Sequence, residues 1–224
     1  MSRKKVLSYR DQHGRLVPGA TTILQCLNKP LLVPWAAKEA VEFVRHHEDM
    51  LATDGQLIYS LAARAHEDKR REGALRGEDA HMRLSAGLQS DSTDDPLVEA
   101  VRNATSGWQW CAQEVVVINT DLGYGGTADA LAQLPGGDLV VVDYKTSSRT
   151  YPEHYLQLTM YAMATPQEHS LRASWMQLSS GRIILVNTEI DRAEVVDVTF
   201  ADHAHVIAPL VRVHRWWREM QRWT

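Results

Sequence analysis

An apolar run that ends in an aspartate and a lysine constrains the fold of this chain more than any other feature. The run, Leu139 to Val142, is continuous, as in strands that are buried on both faces, and Asp143, Tyr144 and Lys145 follow it directly. Residues two apart on a strand point to the same side. The side chains of Asp143 and Lys145 are therefore predicted to lie together on one face of a sheet.

A second strand-like run, GTADAL, carries Asp129, and Pro135-Gly136-Gly137 between the two runs predicts a turn. If these three residues form the loop of a hairpin, Asp129 lies opposite Asp143. Like charges placed opposite each other destabilise a sheet, and burial increases the cost. A bound divalent cation removes that cost, and two carboxylates suit a hard, oxygen-seeking ion such as Mg²⁺ or Mn²⁺.

The composition is that of an ordinary globular protein, with 44% hydrophobic and 23% charged residues, and 224 residues are enough for one domain with a sizeable core. No apolar run approaches about 20 residues, so neither a membrane span nor a membrane partner is expected. The formal net charge of −4 counts against a protein that coats nucleic acid, though not against an enzyme with a local basic groove.

The two cysteines, Cys26 and Cys111, lie far apart in the sequence and cannot supply the four thiolates of an iron–sulfur cluster or a Cys₄ zinc site. They do not indicate a disulfide scaffold either, which favours a reducing, cytoplasmic compartment. No iron–sulfur cluster is therefore expected.

The order of the predicted elements indicates a mixed α/β or α+β domain, with helices packed on a central sheet. A long helix is predicted over residues 56–88, with an interruption at Gly77, and another is predicted to begin at Pro152. The strands are predicted at residues 113–120, 126–134, 138–145, 172–178, 182–190 and 195–200.

Gln157 and Tyr161 lie four residues apart on the helix that begins at Pro152, and therefore on one face of it. One interpretation is that this face packs against the metal site, where Gln157 binds substrate or orients Lys145 and Tyr161 donates its hydroxyl. The alternative, a surface glutamine and a boundary tyrosine, is about equally compatible with the pattern.

Taken together, these motifs resemble the RecB-like exonuclease branch of the PD-(D/E)XK nuclease superfamily, which includes mitochondrial genome maintenance exonucleases and phage-type exonucleases. The resemblance runs from about Val17 to Ala164 and includes the N-terminal segment PGATTILQCLNKP. In chain order, the other motifs are G-x-x-x-H at Gly77 to His81, GTAD ending at Asp129, D-x-K at Asp143 to Lys145, and Q-x-x-x-Y at Gln157 to Tyr161.

The resemblance implies a restriction-endonuclease-like core in one nuclease domain over residues 1–224. Residues 1–110 would be its mainly helical part, 111–200 its catalytic sheet and helix, and 201–224 its C-terminal helix. The implied activity is Mg²⁺- or Mn²⁺-dependent hydrolysis of phosphodiester bonds in DNA, from single strands or duplex ends. The protein would be bacterial or phage-encoded, and repair, recombination and defence all stay open as its pathway.

The resemblance also implies roles for individual residues. His81, Asp129, Asp143 and the backbone carbonyl of Tyr144 would be metal ligands. Lys145 would orient or deprotonate the attacking water and offset charge at the scissile phosphate.

Two further positions bear on the resemblance. Glu114 matches an acidic position one strand before the first aspartate and is a candidate metal ligand, although a sheet-surface glutamate explains it equally well. Ala128 stands where the strict superfamily signature has proline.

Arginines in the helix predicted over residues 56–88 are candidate phosphate contacts, namely Arg70, Arg71 and Arg76, and Trp35 is a candidate wall of a DNA-binding cleft. Acidic residues are interspersed with these arginines, so a solvated helix face with i,i+4 ion pairs explains them at least as well.

The C-terminal segment VRVHRWWREMQRW combines arginines with Trp216, Trp217 and Trp223. Such side chains stack on unpaired bases in some proteins. Tryptophans at helical spacing more often pack a terminal helix onto the core, and this packing is the favoured interpretation.

Three other functions compete with a DNA exonuclease. One is a structure-specific endonuclease of the same fold, and another is a non-catalytic nucleic-acid-binding protein. A glycosidase with paired carboxylates fits less well, because it gives no role to Lys145 or His81.

Overall fold

The computed structural model describes residues 8–27, 32–90 and 94–221. The chain divides into two compact units, one formed by Met1–Leu27 with Asp79–Thr224 and the other by Asn28–Glu78. The larger unit contains a six-stranded mixed sheet flanked by helices, and the described part of the smaller unit is helical. The single nuclease domain over residues 1–224 stays a prediction.

The helices and strands follow one another in mixed order. The first half of the chain contains β1 (Tyr9–Arg10), β2 (Leu16–Val17), α1 (Ala20–Leu24), α2 (Leu32–His46), α3 (Leu51–Ala62), α4 (Ala65–Gly87) and α5 (Pro96–Ala104). The second half contains β3 (Gln109–Asn119), β4 (Tyr124–Gln133), β5 (Leu139–Lys145), α6 (Pro152–Ala162), β6 (Thr165–Pro166), α7 (Arg172–Trp175), β7 (Ser180–Asn187), β8 (Arg192–Thr199) and α8 (Ala204–Met220).

The large sheet has the strand order β6-β3-β4-β5-β7-β8. Neighbouring strands are antiparallel except β5 and β7, which are parallel. A parallel pair needs a crossover connection, and α6 lies in the segment that joins these two strands. This architecture confirms the predicted mixed α+β class and is that of a restriction-endonuclease-like core.

The predicted hairpin and its register are confirmed. β4 pairs with β5 so that Ala130 lies opposite Val142, and the Leu134 N–H donates to the Asp138 carbonyl at 2.8 Å. The loop between these strands is the predicted three-residue turn, in which Gly137 adopts a φ of 94° that side chains disfavour.

Apolar side chains cover both faces of the sheet. Val141 and Ile183 belong to the core between the sheet and α1, α6 and α8, whereas Val140, Val142 and Ile184 belong to the core on the other face. Each fully buried side chain of this size contributes about 1.5–3 kcal/mol. The continuous apolar run of β5 therefore reflects a strand that is buried on both faces.

The strand predicted at residues 172–178 is wrong, because this segment forms α7 and the turn after it. Trp175 is the buried side chain of α7, and its indole N–H donates to the Tyr161 carbonyl at 3.3 Å, while Met176 is 88% exposed. A single buried side chain in this segment does not give the alternating burial that a half-buried strand shows.

The predicted interruption at Gly77 is also wrong, because α4 continues through this residue without a break. The helical stretch breaks instead at Ala63 and Arg64, between α3 and α4. A glycine inside a helix costs about 1 kcal/mol relative to alanine, which a helix of this length tolerates.

None of the described helices combines the length and the apolar character that crossing a bilayer requires.

Candidate active site

The candidate site lies where β4 and β5 stop pairing. Their ladder ends at Ala130 and Val142, and β3 pairs along the whole of the opposite edge of β4. Further toward the start of β4, Gly125 is bridged to Gly19 instead of to β5. Between the end of the β4–β5 ladder and the Gly125–Gly19 bridge, an opening is left along β4. We call this opening the fork; residues 126–129 of β4 and 143–145 of β5 border it.

Asp129 lies in the fork and is 4% exposed. Its Oδ2 accepts a hydrogen bond from the Tyr144 N–H at 2.8 Å, and its Oδ1 lies 3.0 Å from Nδ1 of His81. Burial would raise the pKa of Asp129, but the His81 imidazole, the Lys145 ammonium and the Tyr144 N–H outweigh it and lower the pKa. Asp129 is therefore a carboxylate at neutral pH.

Asp143 is 1% exposed and interacts with two side chains. Its Oδ2 forms an ion pair with Lys145 Nζ, which confirms that these two side chains share a face. Its Oδ1 accepts a hydrogen bond from Nε2 of Gln157 at 3.3 Å. Burial and the nearby charge of Asp129 raise the pKa of Asp143 to about 6, although Lys145 opposes them.

His81 comes from α4, 48 residues before Asp129. Burial would lower its pKa, but the charge and hydrogen bond of Asp129, together with the charge of Asp143, outweigh burial and raise it. The structure thus brings together His81, Asp129, Asp143 and Lys145, four groups that the sequence analysis singled out.

Gln157 and Tyr161 face the fork from α6, which has Pro152 in its first turn as predicted. Gln157 Nε2 lies 2.6 Å from the Tyr161 hydroxyl as well as contacting Asp143. Their shared helix face therefore packs against the site, whereas the catalytic roles predicted for the two residues stay predictions.

Gly126 is a residue whose importance the sequence analysis missed, since only its place at the start of the strand-like run GTADAL was noted. It lies inside β4, and a Cβ there would collide with the Tyr161 ring. A glycine inside a strand marks a close approach of another group, and that signal was available in the sequence.

Glu114 lies next to Asp129 across the β3–β4 pair, because the residues on either side of each are paired with one another. It is half-buried and has a φ of 54°. A residue other than glycine in this region costs about 1–3 kcal/mol, and such residues cluster at functional sites. Its role as a metal ligand stays a prediction.

The residues predicted to contact DNA lie in the smaller unit. Arg70, Arg71 and Arg76 are exposed on α4, and Trp35 is half-buried with an edge-on ring contact to His66 at 6.3 Å between centroids. Their binding roles stay predictions.

The interpretation that the C-terminal tryptophans pack onto the core is wrong for two of them. Trp216 is 55% exposed and Trp217 is 51% exposed, while Val211 and His214 supply the buried face of α8. Trp223 lies outside the described residues.

In the described part of the chain, no three His, Cys, Asp or Glu side chains are spaced as a metal-binding group. In this structure His81 contacts Asp129, and Lys145 contacts Asp143. The donor types nevertheless fit a hard divalent cation, because two nearly buried carboxylates stand beside an imidazole. A cation would also relieve the repulsion that raises the pKa of Asp143.

The model of the PD-(D/E)XK nuclease superfamily matches residues 42–222, which include His81 and the whole fork. No curated protein matches the sequence. One solved structure, described as "Crystal structure of SSO0001", aligns with a TM-score of 0.38 and 15% identity over 88% of this chain and 82% of that chain. That likeness is too weak to bear on fold or function.

Proposed function

Because this chain belongs to the PD-(D/E)XK nuclease superfamily, we propose that it is a metal-dependent DNA exonuclease of the RecB-like branch. Its substrates are single-stranded DNA or DNA ends, and it works in the cytoplasm of a bacterium or phage host. The observation that carries the proposal is the meeting of His81, Asp129, Asp143 and Lys145 at the fork. The free thiols of Cys26 and Cys111 are compatible with a reducing compartment.

Mg²⁺ or Mn²⁺ would be held by Asp129, Asp143 and His81, with the Tyr144 carbonyl as a further ligand. When bound, such an ion lowers the pKa of a coordinated water and offsets charge on the phosphate. The low pKa of Asp129 keeps that residue an anion, ready to act as a ligand, across the neutral range.

Lys145 supplies the positive charge nearest to Asp143. Once the substrate phosphate is in place, the Lys145 ammonium orients the attacking water and stabilises the charge that develops on the phosphate oxygens. The side chain is largely shielded from solvent, with 18% exposed, and a charge acts more strongly in a water-poor site than in bulk water.

Gln157 and Tyr161 act as positioning residues. The Gln157 amide donates to Asp143 Oδ1 and so fixes the orientation of that carboxylate. Burial raises the pKa of Tyr161 well above its usual range, so the phenol stays protonated and helps to hold the Gln157 amide rather than acting as a base.

The exposed face of α8 supports a preference for unpaired strands. Trp216 and Trp217 are exposed beside Arg212 and Arg218, which are also exposed. Indole rings stack on bases without sequence preference, and bases are free to stack in this way only when they are unpaired.

The decisive experiment compares linear and circular single-stranded DNA, both labelled, with Mg²⁺, with Mn²⁺ and with neither. The proposal predicts metal-dependent loss of the linear substrate from its ends and an intact circle. Cleavage of the circle would favour a structure-specific endonuclease of the same fold. Binding of both substrates without cleavage would favour a non-catalytic nucleic-acid-binding protein.

A further inference from the structure

Local hydrogen bonds fix the turn of the N-terminal hairpin formed by β1 and β2. Tyr9 pairs with Val17, and the buried Asp11 accepts hydrogen bonds from the N–H groups of His13 and Arg15, each at 2.9 Å. Two-residue strands have little stability by themselves. The hairpin must therefore gain its stability from the surface on which it lies.

That surface is the start of β4, along the edge that faces β5, beyond the point where β5 stops pairing. The Gly125 N–H donates to the Pro18 carbonyl at 3.0 Å. A Cβ at Gly125 would lie 2.6 Å from the Cβ of Tyr9, and a Cβ at Gly19 would lie 3.2 Å from its ring. The Tyr9 side chain thus packs closely against Gly125 and Gly19, in space that a side chain at either glycine would occupy.

The hydroxyl of Tyr9 reaches toward the fork. It lies 3.2 Å from Oγ1 of Thr127, and both side chains are partly exposed. Thr127 is two residues from Asp129 on β4, which corresponds to roughly 7 Å along a strand. The hairpin therefore places a pair of hydroxyls at the end of the fork opposite to the β4–β5 ladder.

The chemistry of this pair suits a phosphate. Two hydroxyls carry two donor protons, and their mutual hydrogen bond uses only one of them. The other proton is free to donate to an anion that approaches from solvent. Neutral donors hold a phosphate without adding charge to the site, and many contacts to nucleic-acid phosphates are of this kind.

From this placement we propose that Tyr9 and Thr127 bind a backbone phosphate of the substrate strand next to the scissile one, and so position the strand in the fork. This inference rests on the proposed nuclease function and assigns a further part of the substrate site to the N-terminal hairpin.

The test uses Tyr9→Phe, which keeps the ring against the glycines, and Thr127→Val, which keeps a branched side chain in the strand. The matched control is Tyr155→Phe, because Tyr155 forms a similar hydroxyl pair with Thr150 at 2.9 Å. Tyr155 lies two residues before Gln157 on α6, about 200° around the helix axis, so it points away from the fork.

Each test variant is expected to raise KM for linear single-stranded DNA by roughly tenfold and to leave kcat within about twofold, as for the loss of a hydrogen bond to a charged group. The control is expected to leave both constants unchanged. The affinity for a short labelled oligonucleotide, measured by fluorescence anisotropy in the inactive Lys145→Ala background, should fall by the same factor.

An unchanged KM in both test variants would overturn the inference. A fall in kcat at constant KM would overturn it too, because the lost contact would then act in the transition state and not in binding of the strand. Cleavage of DNA by the wild-type protein in the same assay would still support the proposed function. If the wild-type protein cleaves no nucleic acid with either metal, the proposed function and this inference fail together.

Discussion

At the scale of single residues, the site is a balance of buried charges. Asp129 and Asp143 are both nearly inaccessible to solvent, and the His81 imidazole contacts the first while the Lys145 ammonium contacts the second. The compensation is incomplete, since the pKa of Asp143 is raised to about 6 by burial and by Asp129. This residual repulsion makes the fork receptive to a further positive charge.

Lys145→Ala is expected to lower kcat by about 10³-fold, because the variant loses the charge that stabilises the reacting phosphate. Binding of Mn²⁺ and of DNA should largely survive, since the carboxylates and the imidazole are retained. Single-turnover cleavage and oligonucleotide binding measure the two effects separately. Lys38→Ala, which removes a lysine whose side chain is 70% exposed, is the control, and normal turnover by Lys145→Ala would defeat the assignment.

At the scale of elements, α6 lies against the fork because β4 has no side chain at Gly126. The Tyr161 ring occupies the space, and Gln157 on the same helix face reaches Asp143. The positions of the Tyr161 and Gln157 side chains thus depend on the absence of a side chain at Gly126.

Gly126→Ala is expected to lower kcat by about 10–100-fold, because its methyl group displaces the Tyr161 ring and with it Gln157. The matched control is Gly136→Ala in the β4–β5 loop, where nothing lies within 4 Å of an added Cβ. Steady-state kinetics of the two variants provide the comparison. Equal activity of both would show that the close approach of Tyr161 to β4 is unimportant for turnover.

A second prediction at this scale concerns the junction of α4 and α5. Asp95 caps α5 by accepting the Leu97 N–H at 2.9 Å and binds Arg83 of α4 through two hydrogen bonds, at 2.6 and 2.7 Å. The hydrogen bonds from Arg83 lower the pKa of Asp95 despite its partial burial. Because the folded-state pKa lies below the unfolded one, the ion pair stabilises the fold above about pH 4 and is lost as the pH falls through the folded-state value.

Asp95→Ala is therefore expected to lower the free energy of unfolding by about 1–2 kcal/mol at pH 7, with a smaller difference from wild type at pH 3. Urea denaturation at the two pH values measures this. Asp197→Asn is the control, because the Asp197 side chain that pairs with Arg182 is 81% exposed and should contribute little. A difference that is the same at both pH values would contradict the pKa argument.

At the scale of the whole molecule, the candidate ligands come from three elements, α4, β4 and β5. An ion held by His81, Asp129 and Asp143 would tie these elements together in the folded state only. Its binding should therefore stabilise the fold by mass action.

Mn²⁺ at about 100 times its dissociation constant is expected to raise the Tm by roughly 5–10 °C. Asp143→Asn should lose most of this increase, because an amide is a weaker ligand than a carboxylate. Asp197→Asn should retain it, since this exposed residue lies on β8, away from the fork. Calorimetry with and without Mn²⁺ makes the comparison, and an equal increase in Asp143→Asn would exclude Asp143 as a ligand.

The sequence by itself determined the β4–β5 hairpin, its register and the shared face of Asp143 and Lys145. These features depend on a short turn and on the two-residue period of a strand, which are local properties. Only the tertiary structure decided where the β4–β5 ladder opens, that His81 of α4 contacts Asp129, and that Tyr9 reaches Thr127. Those contacts join residues far apart in the chain, and they arise from the packing of whole elements, which no local pattern encodes.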